Sequence, residues 1–289
     1  MSPSTDPVAD RLRDTLVVVT GAASGIGRAL AVAAAAAGAR LALADRDGAG
    51  LAATAQQAGG DVSTTTLDVA DRQAVQAFAG EVAARGGADV LVNNAGMGAS
   101  GRVGDLTLAT LQRTMDVNFW GVVHGTQAFL PQLLARREAA LANLSSTFGF
   151  MGVPGQAAYC ASKFAVRGFT ESLRHEVRGT GLTVTVVHPG GVRTGIAAHS
   201  RVDFPVGVEV LREALREWDA QTLTSPEDAA AEILRGIVAG SPRILIGDDA
   251  RFIDELARTR PEGHDDFVDS HLRRGAIWAA VDAAAPPAG

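Results

Sequence analysis

The amino-acid sequence predicts an α/β fold of the doubly wound type, in which a seven-stranded parallel sheet is flanked by helices. Short apolar runs typical of buried strands alternate with longer, alanine-rich amphipathic stretches typical of helices. The alternation extends through most of the 289 residues. Because strands joined by helices pair in parallel, and their helices cover both faces of the sheet, this order predicts the doubly wound class.

Seven strands and six helices are predicted along the chain. The strands are expected at residues 16–20, 40–44, 62–67, 89–93, 139–145, 182–187 and 243–247. The helices are expected at residues 25–38, 48–58, 71–85, 111–136, 157–178 and 226–239. Asp71 can cap the third helix, and Ser225 followed by Pro226 suits the start of the sixth. Pro131 favours a kink or an end in the fourth helix.

Composition and charge argue against several classes of protein. The 26 basic and 32 acidic side chains give a net charge of −6, which argues against a nucleic-acid partner. The most apolar early segment, residues 16–20, is far too short to span a bilayer, and residues 1–14 do not resemble a signal peptide. A cytoplasmic protein without membrane contact is therefore expected. Since Cys160 is the only cysteine and the six histidines do not cluster, no metal site is expected.

The chain has one lysine, Lys163, and one tyrosine, Tyr159, four residues apart in a predicted helix. The other 25 basic residues are arginine, so the single lysine suggests a role that arginine cannot fill, with chance composition as the alternative. Residues four apart lie on the same helix face. An ammonium beside a phenol would lower the phenol pKa from its usual value of about 10, and the pair would then suit acid–base catalysis.

A glycine-rich segment, TGAASGIG at residues 20–27, lies between the first strand and the first helix. Glycines allow the backbone to approach phosphates, and the helix N-terminus offers free N–H groups, so a dinucleotide pyrophosphate is expected there. Asp45 ends the second strand, where a carboxylate can bind both adenosine ribose hydroxyls and would repel a 2′-phosphate, which favours NAD. Arg46 could pair with that phosphate, which leaves NADP as the alternative.

Taken together and in order, the motifs of the chain resemble those of the short-chain dehydrogenase/reductase family, of the compact single-domain type. The resemblance covers residues 15–247 and rests on TGAASGIG (20–27), LDV (67–69), NNAG (93–96), Asn118, Ser146, Tyr159-x-x-x-Lys163 and PGGVxT (189–194). It implies a Rossmann-type sheet and a catalytic group of Asn118, Ser146, Tyr159 and Lys163. It also implies that Ser146 holds the substrate oxygen and that Asn118 holds a water in a proton relay.

The family resemblance also implies a set of cofactor contacts. These are Gly21, Ser24, Gly25, Ile26 and Gly27 at the pyrophosphate, Asp45 and Arg46 at the ribose, Asp68 and Val69 at the adenine, Asn94, Ala95 and Gly96 at the adenosine ribose, Tyr159 and Lys163 beside the nicotinamide ribose, and Pro189, Gly190, Val192 and Thr194 at the nicotinamide. The segment after Thr194 matches a mobile substrate lid, in which His199 could touch the substrate.

The expected activity is that of an NAD(P)-dependent oxidoreductase, which transfers a hydride between the nicotinamide and a secondary alcohol or ketone. The apolar residues Met97, Phe148, Phe150, Met151, Val153 and Phe204 could line a pocket for a hydrophobic small molecule, with core packing as the alternative. A catalytically silent dinucleotide-binding redox sensor or scaffold is the alternative function. The two long predicted helices, 111–136 and 157–178, resemble those of the family's dimer interface, so a homotetramer is expected, or otherwise a homodimer.

The sequence also predicts how the chain is organised into domains. Residues 1–13 are expected to be a flexible N-terminus and residues 14–258 a single dinucleotide-binding catalytic domain. Residues 259–289 are expected to be a C-terminal extension, either loose or docked on a partner, because this stretch contains several prolines and glycines.

Overall fold

The structure is a computed structural model that describes residues 6–262 and 264–283. Strands in this part of the chain are β1 (Leu16–Thr20), β2 (Arg40–Asp45), β3 (Val62–Thr66), β4 (Val90–Asn93), β5 (Ala99–Ser100), β6 (Ala139–Leu144), β7 (Leu182–Pro189), β8 (Arg201–Val202) and β9 (Arg243–Ile246). The helices are α1 (Pro7–Leu12), α2 (Gly25–Ala36), α3 (Gly48–Ala58), α4 (Arg72–Ala84), α5 (Leu108–Met115), α6 (Gly121–Leu134), α7 (Ala157–Glu176), α8 (Val208–Gln221), α9 (Pro226–Val238), α10 (Asp248–Thr259), α11 (Asp265–Phe267) and α12 (Ala276–Ala283).

The main sheet has seven strands in the order β3-β2-β1-β4-β6-β7-β9. Every neighbouring pair in it is parallel, so the predicted seven-stranded parallel fold is confirmed. The chain builds outward from β1 to β3 and then crosses to β4 on the other side of β1. The carboxyl ends of β1 and β4 therefore border the point where the strand order reverses, which is where doubly wound sheets bind their ligands.

Helices cover both faces of this sheet, because alternate strand residues point in opposite directions. On one face Val17 and Val19 of β1 pack in a core with side chains of α2, α3 and α9. On the other face Leu16 and Val18 pack with side chains of α4, α6 and α7. Asp71 caps α4 and Ser225 caps α9, both as predicted.

The stretch predicted as one helix over residues 111–136 is helical, but it is not one regular α-helix, and this is the clearest correction to the predicted elements. It consists of α5, a π-helical turn at Asp116–Trp120 and α6. The turn inserts one extra residue into the helical path, so the helix changes its register beside the site. Pro131 does not end the helix, since it lies within α6. The other predicted boundaries coincide with those of the structure or differ from them by one or two residues.

Several elements lie where the sequence analysis expects none. Residues 7–12, assigned to a flexible N-terminus, form α1, which is capped by Asp6 and buries Leu12. The segment assigned to a loose or docked C-terminal extension includes α11 and α12, and the Ala276 N–H at the start of α12 donates to the Glu217 carboxylate of α8 (3.0 Å). Such long-range contacts leave no local signal in the sequence. The division into three regions stays a prediction.

A small two-stranded sheet fixes the segment that follows Thr194. β5 and β8 pair in parallel. Asp203 N donates to Ser100 O (2.8 Å) and Arg201 N donates to Gly98 O (3.1 Å), so this segment is joined to the loop that follows β4. None of the helices in the two described ranges has both the length and the apolar character needed to cross a membrane.

Candidate active site

The loop between β1 and α2 has the shape that a dinucleotide pyrophosphate requires. Gly21 (φ +67°) and Gly25 (φ +53°) adopt left-handed backbone conformations that favour glycine. A Cβ at Gly27 would lie 2.1 Å from the Gly21 carbonyl oxygen, so no larger residue fits there. The N-terminus of α2, which begins at Gly25, directs its free N–H groups to this loop. The residues present therefore fit a bound pyrophosphate.

The NNAG segment after β4 holds this loop in place. The Asn94 side-chain amide donates to the carbonyl oxygens of Thr20 and Gly21 (3.0 Å each). In return, the Thr20 hydroxyl oxygen accepts hydrogen bonds from the N–H groups of Asn94 (3.1 Å) and Ala95 (3.2 Å). The side chain of Asn94, assigned by resemblance to the ribose contact, is thus engaged in bracing the phosphate loop.

The residues predicted to bind the adenosine lie around one cleft at the ends of β1, β2 and β4. The cleft is lined by residues that include Gly21, Asp45, Arg46, Asp68, Val69, Ala95, Gly96 and Arg113. Asp45 accepts hydrogen bonds from Ala23 N (2.9 Å) and Asp47 N (3.0 Å), so its carboxylate has a fixed orientation. Arg46 is exposed to solvent.

Asp68 forms an ion pair with Arg113, a residue that the sequence analysis does not single out. Partial burial acts to raise the pKa of Asp68. Hydrogen bonds from Ala70 N–H and from Arg113, with the charges of Arg113 and Arg46, outweigh burial, so the pKa lies below its ordinary value. Asp68 is therefore held as a carboxylate at the adenosine end of the cleft.

The PGGVxT loop after β7 is fixed by residues that come later in the chain. A Cβ at Gly190 would lie 2.2 Å from the Asp249 carboxylate, and Gly191 N donates to Asp249 Oδ2 (2.6 Å). Arg193 N donates to Thr224 O (3.0 Å). Asp249 was missed, although two consecutive acidic residues after the last strand are a signal for a side chain at this edge of the sheet.

The far end of that loop reaches the phosphate loop. A Cβ at Gly25 would lie 3.1 Å from Thr194 Cγ2, so the two segments approach each other closely. The predicted pyrophosphate and nicotinamide contacts therefore lie next to each other.

Tyr159 and Lys163 lie side by side on α7, as their spacing predicts. Lys163 Nζ lies 5.6 Å from the centre of the Tyr159 ring and donates to the Leu144 carbonyl oxygen (2.9 Å). The lysine is only 4% exposed. A Cβ at Gly96 would lie 3.6 Å from Nζ, so the ammonium lies beside the NNAG segment. Gly96 also lines the cleft of the residues predicted to bind the adenosine.

The pKa values of this pair differ from the expectation that the ammonium lowers the tyrosine pKa. Burial raises the pKa of Tyr159 to about 12, although interaction with the Ser146 side chain acts in the opposite direction. Burial also lowers the pKa of Lys163 to about 8. The physical reason is that both groups are withdrawn from water, and the loss of hydration outweighs their mutual effect. Both side chains are protonated at neutral pH.

The adjacent serines after β6 make different contacts. The Ser145 hydroxyl donates to the Lys163 carbonyl oxygen (2.8 Å) and so fixes α7 against the sheet. The Ser146 side chain instead faces Tyr159. Its Oγ accepts a hydrogen bond from Phe148 N (3.2 Å), which begins a short 3₁₀ turn at Thr147–Gly149. Of the two serines, Ser146 is thus the one whose side chain lies beside the phenol.

Asn118 lies in the π-helical turn and is fully buried. Its Oδ1 accepts a hydrogen bond from Met97 N (2.8 Å), while Nδ2 donates to Met97 O (3.0 Å) and to Ser162 Oγ (3.0 Å). Ser162 in turn donates to the Tyr159 carbonyl oxygen (2.7 Å). The Asn118 side chain thus connects the loop after β4 to α7 through Ser162, a residue that no motif in the sequence indicates.

The apolar residues proposed for a substrate pocket lie in different surroundings in the structure. Phe150, Met151 and Val153 are buried in a core cluster with side chains of α10, so they form part of the core. Phe148 remains beside the site, with its ring edge-on to Tyr159 at 6.1 Å between centroids. The other two are Met97, which is partly buried beside the cofactor cleft, and Phe204, which packs against Trp278 of α12.

Two further features concern histidines and metals. His199 is exposed and its Nδ1 lies 2.7 Å from the Gly195 carbonyl oxygen, within its own segment. Over residues 6–262 and 264–283, no group of three or more His, Cys, Asp or Glu side chains has an arrangement that could hold a metal ion.

Comparison with known protein families adds an independent finding. Residues 15–203 match the model of the family described as short chain dehydrogenase. The chain belongs to the short-chain dehydrogenase family. It is therefore an oxidoreductase of that family.

Individual relatives agree with this assignment. A putative oxidoreductase, SadH, of Mycobacterium tuberculosis is 43% identical over 270 residues, covering 91% of this chain and 97% of its own. A short-chain dehydrogenase/reductase from Burkholderia phymatum, solved in complex with NAD, is 31% identical with a TM-score of 0.78, covering 87% of this chain and 95% of its own. Levodione reductase is 26% identical with a TM-score of 0.74, covering 84% of this chain and 99% of its own.

Proposed function

We propose that the protein catalyses hydride transfer between a nicotinamide dinucleotide and a secondary alcohol or ketone, with a hydrophobic substrate. The observation that carries this proposal is the convergence of Tyr159, Lys163 and Ser146 beside a glycine loop that fits a pyrophosphate. The bound cofactor would supply or accept the hydride. The similar NAD complex and the similar enzyme named levodione reductase support this chemistry.

The protein's own residues supply positioning and proton transfer. Ser146 holds the substrate oxygen beside the phenol, and Tyr159 donates a proton to that oxygen in ketone reduction or accepts it in alcohol oxidation. Because burial raises the Tyr159 pKa to about 12, the phenol carries its proton at neutral pH, as proton donation to a ketone oxygen requires. Lys163 provides a positive charge beside the ring, and Asn118 positions the loop that follows β4.

NAD is the proposed cofactor. The Asp45 carboxylate borders the adenosine cleft with two backbone N–H groups fixing its orientation, so a 2′-phosphate would meet a negative charge there. The Arg46 side chain is exposed, and its charge acts on the nearby Asp68. Asp45, which favours NAD, is therefore held in a more defined geometry than Arg46, which could pair with the 2′-phosphate of NADP.

The test is a spectroscopic assay of NADH and NADPH oxidation with a panel of apolar ketones, made with the wild-type protein and Tyr159→Phe. Proton transfer by a placed side chain contributes roughly 10²–10⁴-fold to the rate. We expect turnover with NADH, and a loss of that order in the variant with dinucleotide binding kept. Dinucleotide binding without turnover of any ketone would indicate the silent sensor or scaffold instead.

We further propose a homotetramer, or otherwise a homodimer, formed through α5 and α7. Apolar side chains are exposed along these helices and the π-helical turn between α5 and α6: Leu108, Leu111, Trp120 and Phe164. Exposed large apolar groups on one region of a surface are typical of protein–protein contacts. Light scattering should show an oligomer, and Trp120→Glu with Phe164→Glu should yield smaller species. A wild-type monomer would contradict this.

A further inference from the structure

His188, the residue before the PGGVxT loop, bonds directly to the backbone of Ser146. Its ring is completely buried, and Nδ1 lies 2.9 Å from the Ser146 carbonyl oxygen. Since a carbonyl oxygen can only accept, Nδ1 carries the proton and donates it. The same oxygen accepts a second hydrogen bond from Gly149 N (3.0 Å), so both of its lone pairs are engaged.

The sheet geometry explains why a side chain makes this bond. β6 ends at Leu144, where Ser145 N donates to Val187 O of β7 (2.8 Å). β7 continues past this point and pairs with β9, with His188 opposite Leu245. His188 is the next residue of β7 after Val187. Its side-chain ring, and not its backbone, makes the hydrogen bond from β7 to Ser146.

The ring is held in one orientation by its surroundings. It stacks on Phe150 with 4.0 Å between centroids and 27° between planes. Burial lowers the pKa of His188 to about 4. The hydrogen bond to Ser146 acts to raise this pKa, whereas the nearby charges of Arg167, Arg243 and Lys163 lower it further. The ring is therefore neutral at neutral pH and is poorly suited to accept a proton. Within the described residues, Nε2 has no hydrogen-bond partner.

We propose that His188 is a positioning residue that fixes the Ser146 backbone relative to the PGGVxT loop, and with it the direction of the Ser146 hydroxyl. The proposal rests on the proposed function, in which that hydroxyl holds the substrate oxygen. The ring joins two segments that must keep a fixed separation: Ser146 on one side and the loop beginning at Pro189 on the other. Loss of the bond would let the serine rotate while the dinucleotide cleft keeps its own contacts.

The test compares two variants with the wild-type enzyme. His188→Phe keeps a flat ring against Phe150, removes the N–H donor and also removes the unpartnered Nε2, so it should fold. His188→Asn places an amide nitrogen where Nδ1 stood and restores the donor. Because small displacements of positioned groups can cost up to about 10²-fold, we expect kcat for ketone reduction to fall about 10- to 100-fold in His188→Phe. The Kd for NADH should change less than about twofold, and His188→Asn should recover most of kcat.

Two controls separate this role from packing and from proton transfer. Phe150→Leu removes the stacked ring but keeps the N–H bond, so its loss of kcat should be much smaller than that of His188→Phe. The pH profile of kcat in His188→Phe should keep the wild-type shape, since a neutral ring does not titrate in the working range. A changed profile, a kcat loss in Phe150→Leu equal to that in His188→Phe, or no recovery in His188→Asn would overturn the positioning role.

A measurement on the wild-type protein keeps the hydrogen bond testable even if His188→Phe does not fold. Nitrogen-15 NMR of the histidine rings should show His188 neutral, with its proton on Nδ1 protected from exchange, and a proton on Nε2 would overturn the proposal. An active wild type, an inactive Tyr159→Phe and a fully active His188→Phe would refute the role of His188 alone. A wild type that binds NADH but reduces no ketone would refute the proposed function, and the positioning role with it.

Discussion

Replacing Lys163 by methionine should abolish activity and yet stabilise the cofactor-free protein at pH 7. Burial lowers the lysine pKa from 10.5 to about 8. Each pKa unit corresponds to 1.36 kcal/mol, so holding the ammonium in this site costs about 3 kcal/mol at pH 7. Methionine has a similar length and no charge, but it loses the hydrogen bond to the Leu144 carbonyl, worth about 1 kcal/mol. We therefore expect Lys163→Met to be more stable by about 2 kcal/mol.

The gain should disappear as the pH rises, and the direction follows from proton binding. Between pH 8 and 10.5 the unfolded chain keeps the lysine proton while the native protein has lost it, so the unfolded state binds more protons. Wild-type stability therefore increases with pH in this window relative to the variant. Tyr159 is present in both proteins, so its ionisation cancels. The difference should approach zero by about pH 10.

The assay is urea unfolding followed by tryptophan fluorescence, at pH 7 and pH 9.5, with wild type and Lys163→Met. Arg216→Met serves as the control, because Arg216 is exposed and its loss should give a small difference that does not change with pH in this range. A Lys163→Met variant less stable than wild type at pH 7, or a difference that stays constant up to pH 9.5, would refute the argument from burial.

Three more outcomes can be measured. Asp45→Asn keeps an oxygen for Ala23 N but removes the charge, so kcat/KM should shift toward NADPH. Gly27→Ala brings a Cβ to within 2.1 Å of the Gly21 carbonyl and should weaken NADH binding more than tenfold in a fluorescence titration, whereas Gly80→Ala, with no neighbour within 4 Å, should not. Asn118→Ala removes three hydrogen bonds of a buried amide and should lower both kcat and the unfolding free energy, the latter by roughly 1–3 kcal/mol.

The sequence predicts those parts of the site that depend on local geometry. The glycine loop follows from the space that phosphates and a helix N-terminus need, and the Tyr159–Lys163 pair follows from the spacing of residues on one helix face. The seven parallel strands follow from the alternation of apolar runs. Each of these needs only neighbouring residues, or a pattern repeated along the chain.

The properties that the sequence did not predict depend on packing between distant segments. The tyrosine pKa is raised because several elements together remove the phenol from water. Asp249 contacts the PGGVxT loop across 58 residues of sequence, and its acidic neighbour gave only a weak signal. Phe150 is core because α10 covers it, although its place after Ser146 suggests a pocket. The π-helical turn at Asp116–Trp120 likewise leaves no periodic pattern that differs from a long helix.

The proposed catalytic residues are fixed by contacts different from those that fix the proposed dinucleotide site. The reaction rate and cofactor binding should therefore respond separately to mutation. Neighbouring side chains donate hydrogen bonds to the backbone carbonyls of the proposed catalytic residues: Ser162 to Tyr159, Ser145 to Lys163, and His188 to Ser146. These bonds set the directions of the reactive side chains, whereas the dinucleotide cleft is fixed by other contacts, such as those of Asn94 and Asp249. Removing a bond of the first kind should therefore lower kcat while the Kd for the dinucleotide is largely kept, and removing one of the second kind should do the reverse.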